Sequence, residues 1–324
     1  MNGMMDERKD NPGLADEGPV LSVVVPCHNE RPVLAELHRR VRAACEKAEV
    51  TFEIILIDDG SGDGTADEIK RLANEDAAVR GVIFSRNFGH QAAVSAGYDH
   101  ARGRAVLVMD ADLQHPPELI PEFLWQWREG HDVVYAYRRN VPTRLGYRLH
   151  NWLCDVRIPH EAADFRLMDR AVVDALRRMP ERKRFVRGLV AWLGFKQIGI
   201  PYEQAERAAG DRAYTPRKIL RLRIDSVFSF STLPLRLSVL LGLITLTLGV
   251  VYAAYILAVV IAQGRDAVER GWPALIITVL VLGGVQLICL GMVAEYVGRV
   301  YEEVKQRPLY VVRESTDDQP ARRE

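Results

Sequence analysis

The sequence predicts an α/β domain on a mostly parallel, Rossmann-like sheet, followed by a pair of membrane-crossing helices. Three observations carry that expectation. From Leu21 onward short apolar runs alternate with longer amphipathic segments, the pattern of strands joined by crossover helices. Residues 237–264 and 271–294 contain no charged residue, and each window exceeds the roughly 20 residues that span the hydrocarbon of a bilayer. Polar, acid-rich clusters follow the apolar runs in turn, as ligand-binding loops do at the carboxyl ends of strands in open α/β sheets.

Element by element, residues 1–19 are polar and acidic without an apolar signal-like run and read as a disordered tail. The α/β domain is expected over 20–210, with strands over 21–26, 52–57, 81–84, 105–109 and 132–137. Helices are expected over 31–47, 64–74, 90–101 and 117–129, the last opened by Pro116 and Pro117 where a missing N–H costs nothing. Residues 211–236 place Leu220, Ile224, Val227 and Phe228 at helical spacing among Arg217, Lys218, Arg221 and Arg223. Such a segment lies in the membrane interface or packs on the protein core. Residues 237–294 hold the two spans, and 295–324 are expected to be a cytoplasmic tail. Gly242 and Gly249, like Gly284 and Gly291, lie two turns apart, a spacing that would let the two helices touch closely.

Charge and cysteine content narrow the function classes. The chain of 324 residues carries 43 basic and 43 acidic side chains, so nothing global suggests a nucleic-acid partner. Locally, the arginines and lysine between 207 and 236 outweigh the balanced loop at 265–270. By the positive-inside rule both ends of the hairpin, and with them the N-terminal domain, face the cytoplasm. Cys27, Cys45, Cys154 and Cys289 form no C-x-x-C pair, which fits a reducing compartment and supplies no zinc framework.

The sharpest motif is Asp110-Ala111-Asp112-Leu113-Gln114, directly after the apolar run 105–109. Alternating residues on extended backbone share a face, so both carboxylates can address one hard cation that also binds phosphate oxygens. Capping of the following helix is the plainer reading of such a pair. Pro26-Cys27-His28-Asn29-Glu30 and Asp58-Asp59-Gly60-Ser61 end the first two strands. Their acids and amides can accept hydrogen bonds from a base edge and ribose hydroxyls, while Asp63 and Thr65 serve equally as helix caps. No Gly-Lys pair forms a Walker loop, Lys70 stands where an EF-hand started at Asp59 needs its bidentate Glu, and no G-x-G-x-x-G follows the first strand. Ser85-Arg86-Asn87-Phe88-Gly89-His90-Gln91 can set Arg86 and a helix start near a diphosphate; there His90 reads as a polar contact and not a general base.

Taken together, these motifs and Asp164-Phe165-Arg166-Leu167-Met168 resemble glycosyltransferase family 2, and within it the polyprenyl-phosphate glycosyltransferases of dolichol-phosphate mannose and undecaprenyl-phosphate glucose type. The resemblance runs from about residue 21 to 312. It implies a GT-A fold, a nucleotide-sugar donor, and Mg2+ or Mn2+ held by Asp110, Asp112 and Gln114. It also implies that Pro26, Glu30, Asp58 and Asp59 line the nucleoside pocket, with Arg86 and Asp110 beside the diphosphate. A departure from the family is Ala163, where glycine is usual before Asp164.

The acceptor follows from charge. A lipid phosphate is anionic at neutral pH, so its oxygen attacks the anomeric carbon without a base, and a single displacement inverts the configuration. It needs guanidinium partners, for which Arg138, Arg139, Arg144 and Arg187 are the candidates. Asp164 either orients the sugar, balances an acceptor arginine, or forms an internal salt bridge with Arg166 or Arg170. With Asp112 and Arg187 it makes up the expected catalytic set. The expected protein is therefore an inverting hexosyltransferase of the bacterial inner membrane, acting on a UDP-linked donor and undecaprenyl phosphate, and open to homo-oligomer formation. The rivals are a processive polysaccharide synthase, although no Q-x-x-R-W occurs, and a non-catalytic scaffold that binds nucleotide sugars.

Overall fold

A computed structural model describes residues 18–138, 162–182, 184–203, 233–263 and 271–318. The expected N-terminal tail to residue 17, Arg139 and Arg144, and the expected interface segment through residue 232 lie outside the described residues. The chain divides into two compact units, one holding the sheet and the other the apolar helices.

In the first unit, β1 (Leu21–Cys27), β2 (Phe52–Asp58), β3 (Val79–Phe84) and β4 (Ala105–Val108) alternate with α1 (Arg31–Lys47), α2 (Thr65–Glu75) and α3 (His90–His100). These strands pair in parallel in the order β3-β2-β1-β4. The run is buried on both faces: Val23, Val24, Val25, Ile54, Leu56, Ile57 and Leu107 are all essentially inaccessible, as a sheet covered by helices requires. A short 3-10 turn (Pro117–Leu119) leads into α4 (Ile120–Arg128), whose Phe123 and Trp127 fill the core beside Phe165. Both predicted parallel strands and helices thus stand within a residue or two of their expected places, with 117–119 tightened to a 3-10 turn.

Three strands were not anticipated. β5 (Val133–Arg138) is followed by β6 (Ala162–Asp169), α5 (Arg170–Arg177), α6 (Val186–Leu193) and β7 (Gln197–Tyr202). β6 inserts antiparallel between β4 and β5, while β7 closes that edge parallel to β5. At the opposite edge β8 (Val312–Ser315), from the stretch expected to be a tail, pairs antiparallel with β3. Its neighbour Asp317 forms ion pairs with Arg80 and Arg102, and Arg80 also reaches the buried Glu53 at 2.5 Å.

The helix layer leaves no slack. A Cβ added to Gly97 of α3 would lie 2.0 Å from Cγ1 of Val24 in β1, and Val24 is fully buried. Gly97→Ala is expected to destabilise the domain by about 1–3 kcal/mol through overpacking, read as a lower melting temperature. An unchanged melting temperature would mean that α3 can lift off the sheet at no cost.

The second unit contains α7 (Leu233–Gln263) and α8 (Trp272–Val304). Within them Leu237–Val259 and Val281–Val304 are long and apolar enough to cross a membrane. Leu240, Leu246, Val251, Leu287, Leu290 and Val297 are exposed around the helix surfaces, a distribution that supports membrane association because lipid, unlike water, carries no penalty for it. The Cys289 Sγ lies 3.6 Å from the Ser238 carbonyl oxygen. The expectation that glycines mark the helix contact fails: a Cβ at Gly242, Gly249, Gly284 or Gly291 would meet nothing within 4 Å.

Candidate active site

β1 sends its connection one way to β2 and β3, while β4 lies on its other side. That reversal opens a crevice at the carboxyl ends of β1 and β4, where open α/β sheets bind ligands. The motif at 26–30 lies on one lip and the motif at 110–114 on the other.

The loops around this crevice are laced together by side chains. The Asn29 amide N–H donates to Ser61 Oγ at 2.9 Å, and the Gly62 N–H to Asn29 Oδ1 at 3.0 Å. The Glu30 N–H donates to Thr65 Oγ1 at 3.0 Å, while Thr65 donates to Asp63 at 2.6 Å. Asp63, which also accepts from the Thr65 N–H at 3.0 Å, and Thr65 therefore serve the loop framework, whereas the cap position of α2 is Gly64 and carries no side-chain cap hydrogen bond. Asp58, 1% exposed, accepts from the Ser61 N–H at 3.3 Å.

Asp59 points the other way. Its carboxylate accepts from the Phe88 N–H at 2.7 Å and the Gly89 N–H at 3.0 Å. Burial raises its pKa, and those two N–H groups pull it back only in part. Its geometry is that of a fastener for the loop 86–89. Gly60, at φ +66°, completes the fastening: a Cβ there would sit 2.3 Å from the carbonyl carbon of Arg86, so only glycine lets the loops meet so closely. Arg86 itself is exposed, with Cζ 4.0 Å over the Phe88 ring. Pro26 is buried at the end of β1 and Glu30 is half-buried.

The acidic motif turns sharply at Leu113, φ +62°. Asp112 is 7% exposed and its Oδ1 accepts from the Gln114 N–H at 3.1 Å. The Asp110 side chain is 37% exposed and lines the crevice. Its backbone N–H donates to His115 Nδ1 at 3.0 Å, which leaves the proton of the neutral ring on Nε2. His115 stacks on Phe165 with centroids 5.0 Å apart. Burial pulls its pKa down against the attraction of Asp110 and Asp112, so the ring is a neutral support for the loop.

Strand register explains the neighbour of this motif. Val108 pairs with Arg166 across the antiparallel β4 and β6, so extending the ladder by two residues sets Asp110 opposite Asp164. Asp164 is bound bidentately by Arg187, at 2.8 Å from Nε to Oδ1 and 2.8 Å from Nη2 to Oδ2. Arg166, 3% exposed, lies 3.7 Å away. Burial would raise the Asp164 pKa, but Arg187 and its neighbours hold it well below the usual carboxylate range. Arg187 enters from α6, whose first N–H, on Val186, donates to Gln91 Oε1 of α3 at 3.2 Å. His90 sits between the two acids, with Nε2 3.8 Å from Asp110 and 3.7 Å from Asp164. Despite partial desolvation its pKa is raised by Asp164 and Asp110.

The structure therefore brings Asp110, Asp164 and Arg187 together around His90, with Asp112 two residues further along the acidic loop, Asp58 and Asp59 at the end of β2 and Arg86 on the loop after β3. Arg138, at the exposed end of β5, donates from Nε to the Tyr202 hydroxyl at 3.4 Å. Arg170, an alternative partner for Asp164, instead donates to the Gly103 carbonyl. Sequence reasoning missed His115 as a support; its place directly after Gln114 was the available signal.

The acid loop bears on a metal. Among the described residues no three His, Cys, Asp or Glu side chains converge as a cage. One or two carboxylates and an amide oxygen are nevertheless the hard donors suited to Mg2+ or Mn2+, which keep waters and take substrate phosphates as their other ligands.

Comparison with known proteins matches residues 22–177 to "Glycosyl transferase family 2" and residues 233–300 to "GtrB C-terminal hairpin". The glycosyltransferase YkcC of Bacillus subtilis is 40% identical over 303 residues, covering 91% of this chain and 93% of the relative. A prophage bactoprenol glucosyl transferase homolog of Escherichia coli is 39% identical over 302 residues, covering 90% and 98%. The bactoprenol glucosyl transferase of Shigella phage SfII is 38% identical over 309 residues, covering 93% and 99%. Among solved structures, a Pyrobaculum calidifontis mannosyltransferase in complex with GDP-Man and Mn2+ covers 89% of this chain and 88% of its own at 17% identity, with a TM-score of 0.43; a likeness that slight assigns nothing. On its crevice, its matched domains and relatives aligned along nine-tenths of its length, the chain belongs to glycosyltransferase family 2 and is a glycosyltransferase.

Proposed function

We propose that this chain transfers glucose from UDP-glucose to undecaprenyl phosphate at the cytoplasmic face of the bacterial inner membrane. The observation that carries the proposal is the pairing of the Asp110–Gln114 loop with the Asp164–Arg187 ion pair across one crevice. The glucosyl group and the polyprenyl acceptor are taken from the names of the relatives, and the cytoplasmic orientation from the basic residues that precede α7.

Asp110, Asp112 and Gln114 would hold Mg2+ or Mn2+, which neutralises charge on the departing diphosphate when bound. Arg86 adds a second positive charge at the diphosphate, while Asp58, Pro26 and Glu30 shape the nucleoside side. The acceptor phosphate oxygen forms the new bond to the anomeric carbon as the bond to the UDP oxygen breaks, and inversion follows from that single displacement. No proton has to be removed, so no general base is assigned. Asp164 holds Arg187 in a fixed orientation, and Arg138, Arg139 and Arg144 complete the anion site for the lipid head.

The test is purified full-length protein in detergent with undecaprenyl phosphate, Mg2+ and a panel of nucleotide sugars, with lipid products read by mass spectrometry. Undecaprenyl-phosphate glucose formed from UDP-glucose is the expected result. Tight UDP-glucose binding without a lipid product would favour a binding scaffold.

A further inference from the structure

The segment after α8 does more than close the sheet edge. Tyr310 follows the end of α8 at Val304 by only the stretch 305–309. Its ring stacks on Phe84, centroids 4.9 Å apart and planes 12° from parallel. Phe84, 1% exposed at the end of β3, meets Phe88 edge-on at 5.8 Å. Phe88 in turn carries the Arg86 guanidinium on its face at 4.0 Å. The backbone repeats the link, since the Ser85 N–H donates to the Val311 carbonyl at 3.0 Å. Tyr310 is pinned from behind by its hydroxyl, which donates to Asp99 Oδ2 at 2.9 Å.

The loop 86–89 is therefore gripped from two sides. Asp59 fastens its backbone from the end of β2, and Tyr310 buttresses its aromatic residue through Phe84. An arginine that serves a diphosphate on an exposed loop would otherwise sample many rotamers, each costing affinity when one is selected. The geometry points to Tyr310 as a positioning residue for the donor site: it holds Phe84 and Phe88 so that Arg86 is preset toward the diphosphate. The carboxyl-terminal strap thereby couples the β8 edge of the sheet to donor binding. This rests on the reading of Arg86 as a diphosphate contact.

The experiment uses the full-length protein, UDP-glucose as varied donor and undecaprenyl phosphate as acceptor. Tyr310→Ala is expected to raise the KM for UDP-glucose roughly three- to tenfold, with kcat and the KM for undecaprenyl phosphate within about twofold. Tyr310→Phe keeps the stack and should stay close to the parent, whereas Phe88→Leu, which leaves the strap intact, should repeat the Tyr310→Ala effect. Added to Arg86→Ala, Tyr310→Ala should produce no further rise. If Arg86→Ala raises the donor KM but Tyr310→Ala adds to it in full, or lowers kcat and both affinities together, the coupling is overturned while Arg86 stands. If Arg86→Ala leaves the donor KM unchanged, the diphosphate role of Arg86 fails, and with it the role of Tyr310.

Discussion

Asp112→Asn is expected to lower turnover at least about a thousandfold, a loss of roughly 4 kcal/mol in transition-state stabilisation, while the protein still inserts and folds. Asp112 is 7% exposed, and its Oδ1 accepts one hydrogen bond from the Gln114 N–H. An asparagine presents the same oxygen to that N–H, so the hydrogen bond that closes the turn at Leu113 is kept while the negative charge is lost. Initial rates with UDP-glucose and undecaprenyl phosphate, alongside a melting curve, separate the two effects. Turnover within a few-fold of the parent would remove the carboxylate from the chemistry. A collapsed melting curve would make its role structural.

The second large effect is expected at Arg187. Its removal leaves the Asp164 carboxylate in a desolvated position, with Arg166 and His90 each no closer than 3.7 Å. Breaking a buried pair costs about 3–5 kcal/mol, and because Arg187 is one-third exposed the expectation for Arg187→Ala is about 2–4 kcal/mol. Turnover should fall as well, since we propose that this guanidinium helps to bind the acceptor phosphate. Arg187→Lys cannot reproduce the two parallel hydrogen bonds and should recover only part of either loss. Arg187→Ala combined with Asp164→Asn should regain stability relative to Arg187→Ala alone, without regaining turnover. A double variant no more stable than the single one would show that the buried charge was not the source of the cost.

The pH dependence follows from the depressed Asp164 pKa. A carboxylate held lower in the folded state contributes stability above its unfolded value, about 4, and loses it as pH falls toward the folded value. The Asp164 share of the stability gap between the parent and Asp164→Asn should accordingly close in acid, and because Asp164 also raises the His90 pKa the gap should narrow further as pH rises from the unfolded histidine value of about 6.5 through the higher folded one.

Much of the nucleotide-side framework was legible in the sequence because its strands are uninterrupted apolar runs. Leu21–Cys27, Phe52–Asp58 and Ala105–Val108 each end at the polar cluster that forms the loop. β6 escaped because Asp164 and Arg166 put charges into a central strand, where their mutual pairing, Arg187 and His90 make burial tolerable. β8 escaped for a different reason. As an edge strand with half of its residues exposed it carries the polar composition of a tail, and its partner β3 lies more than two hundred residues earlier in the chain. The acidic loop could be read as a cation site from its spacing, but its position against Asp164 depends on the register of β4 with β6, which no local pattern encodes. His115 is similarly nonlocal in purpose, since its burial against Phe165 defines its role. The hairpin was visible from the absence of charge alone, whereas the glycine spacing within it did not report the helix contact.

We propose that the Asp110–Gln114 loop would hold a divalent cation, which would neutralise charge on the departing nucleoside diphosphate. A structure of the protein with UDP-glucose and Mn2+ tests it most directly. The expected result is the ion at a carboxylate oxygen of Asp112 or Asp110 beside the diphosphate, with the sugar toward Asp164 and Arg187. Mn2+ and diphosphate found together at a site remote from residues 110–114 would contradict it.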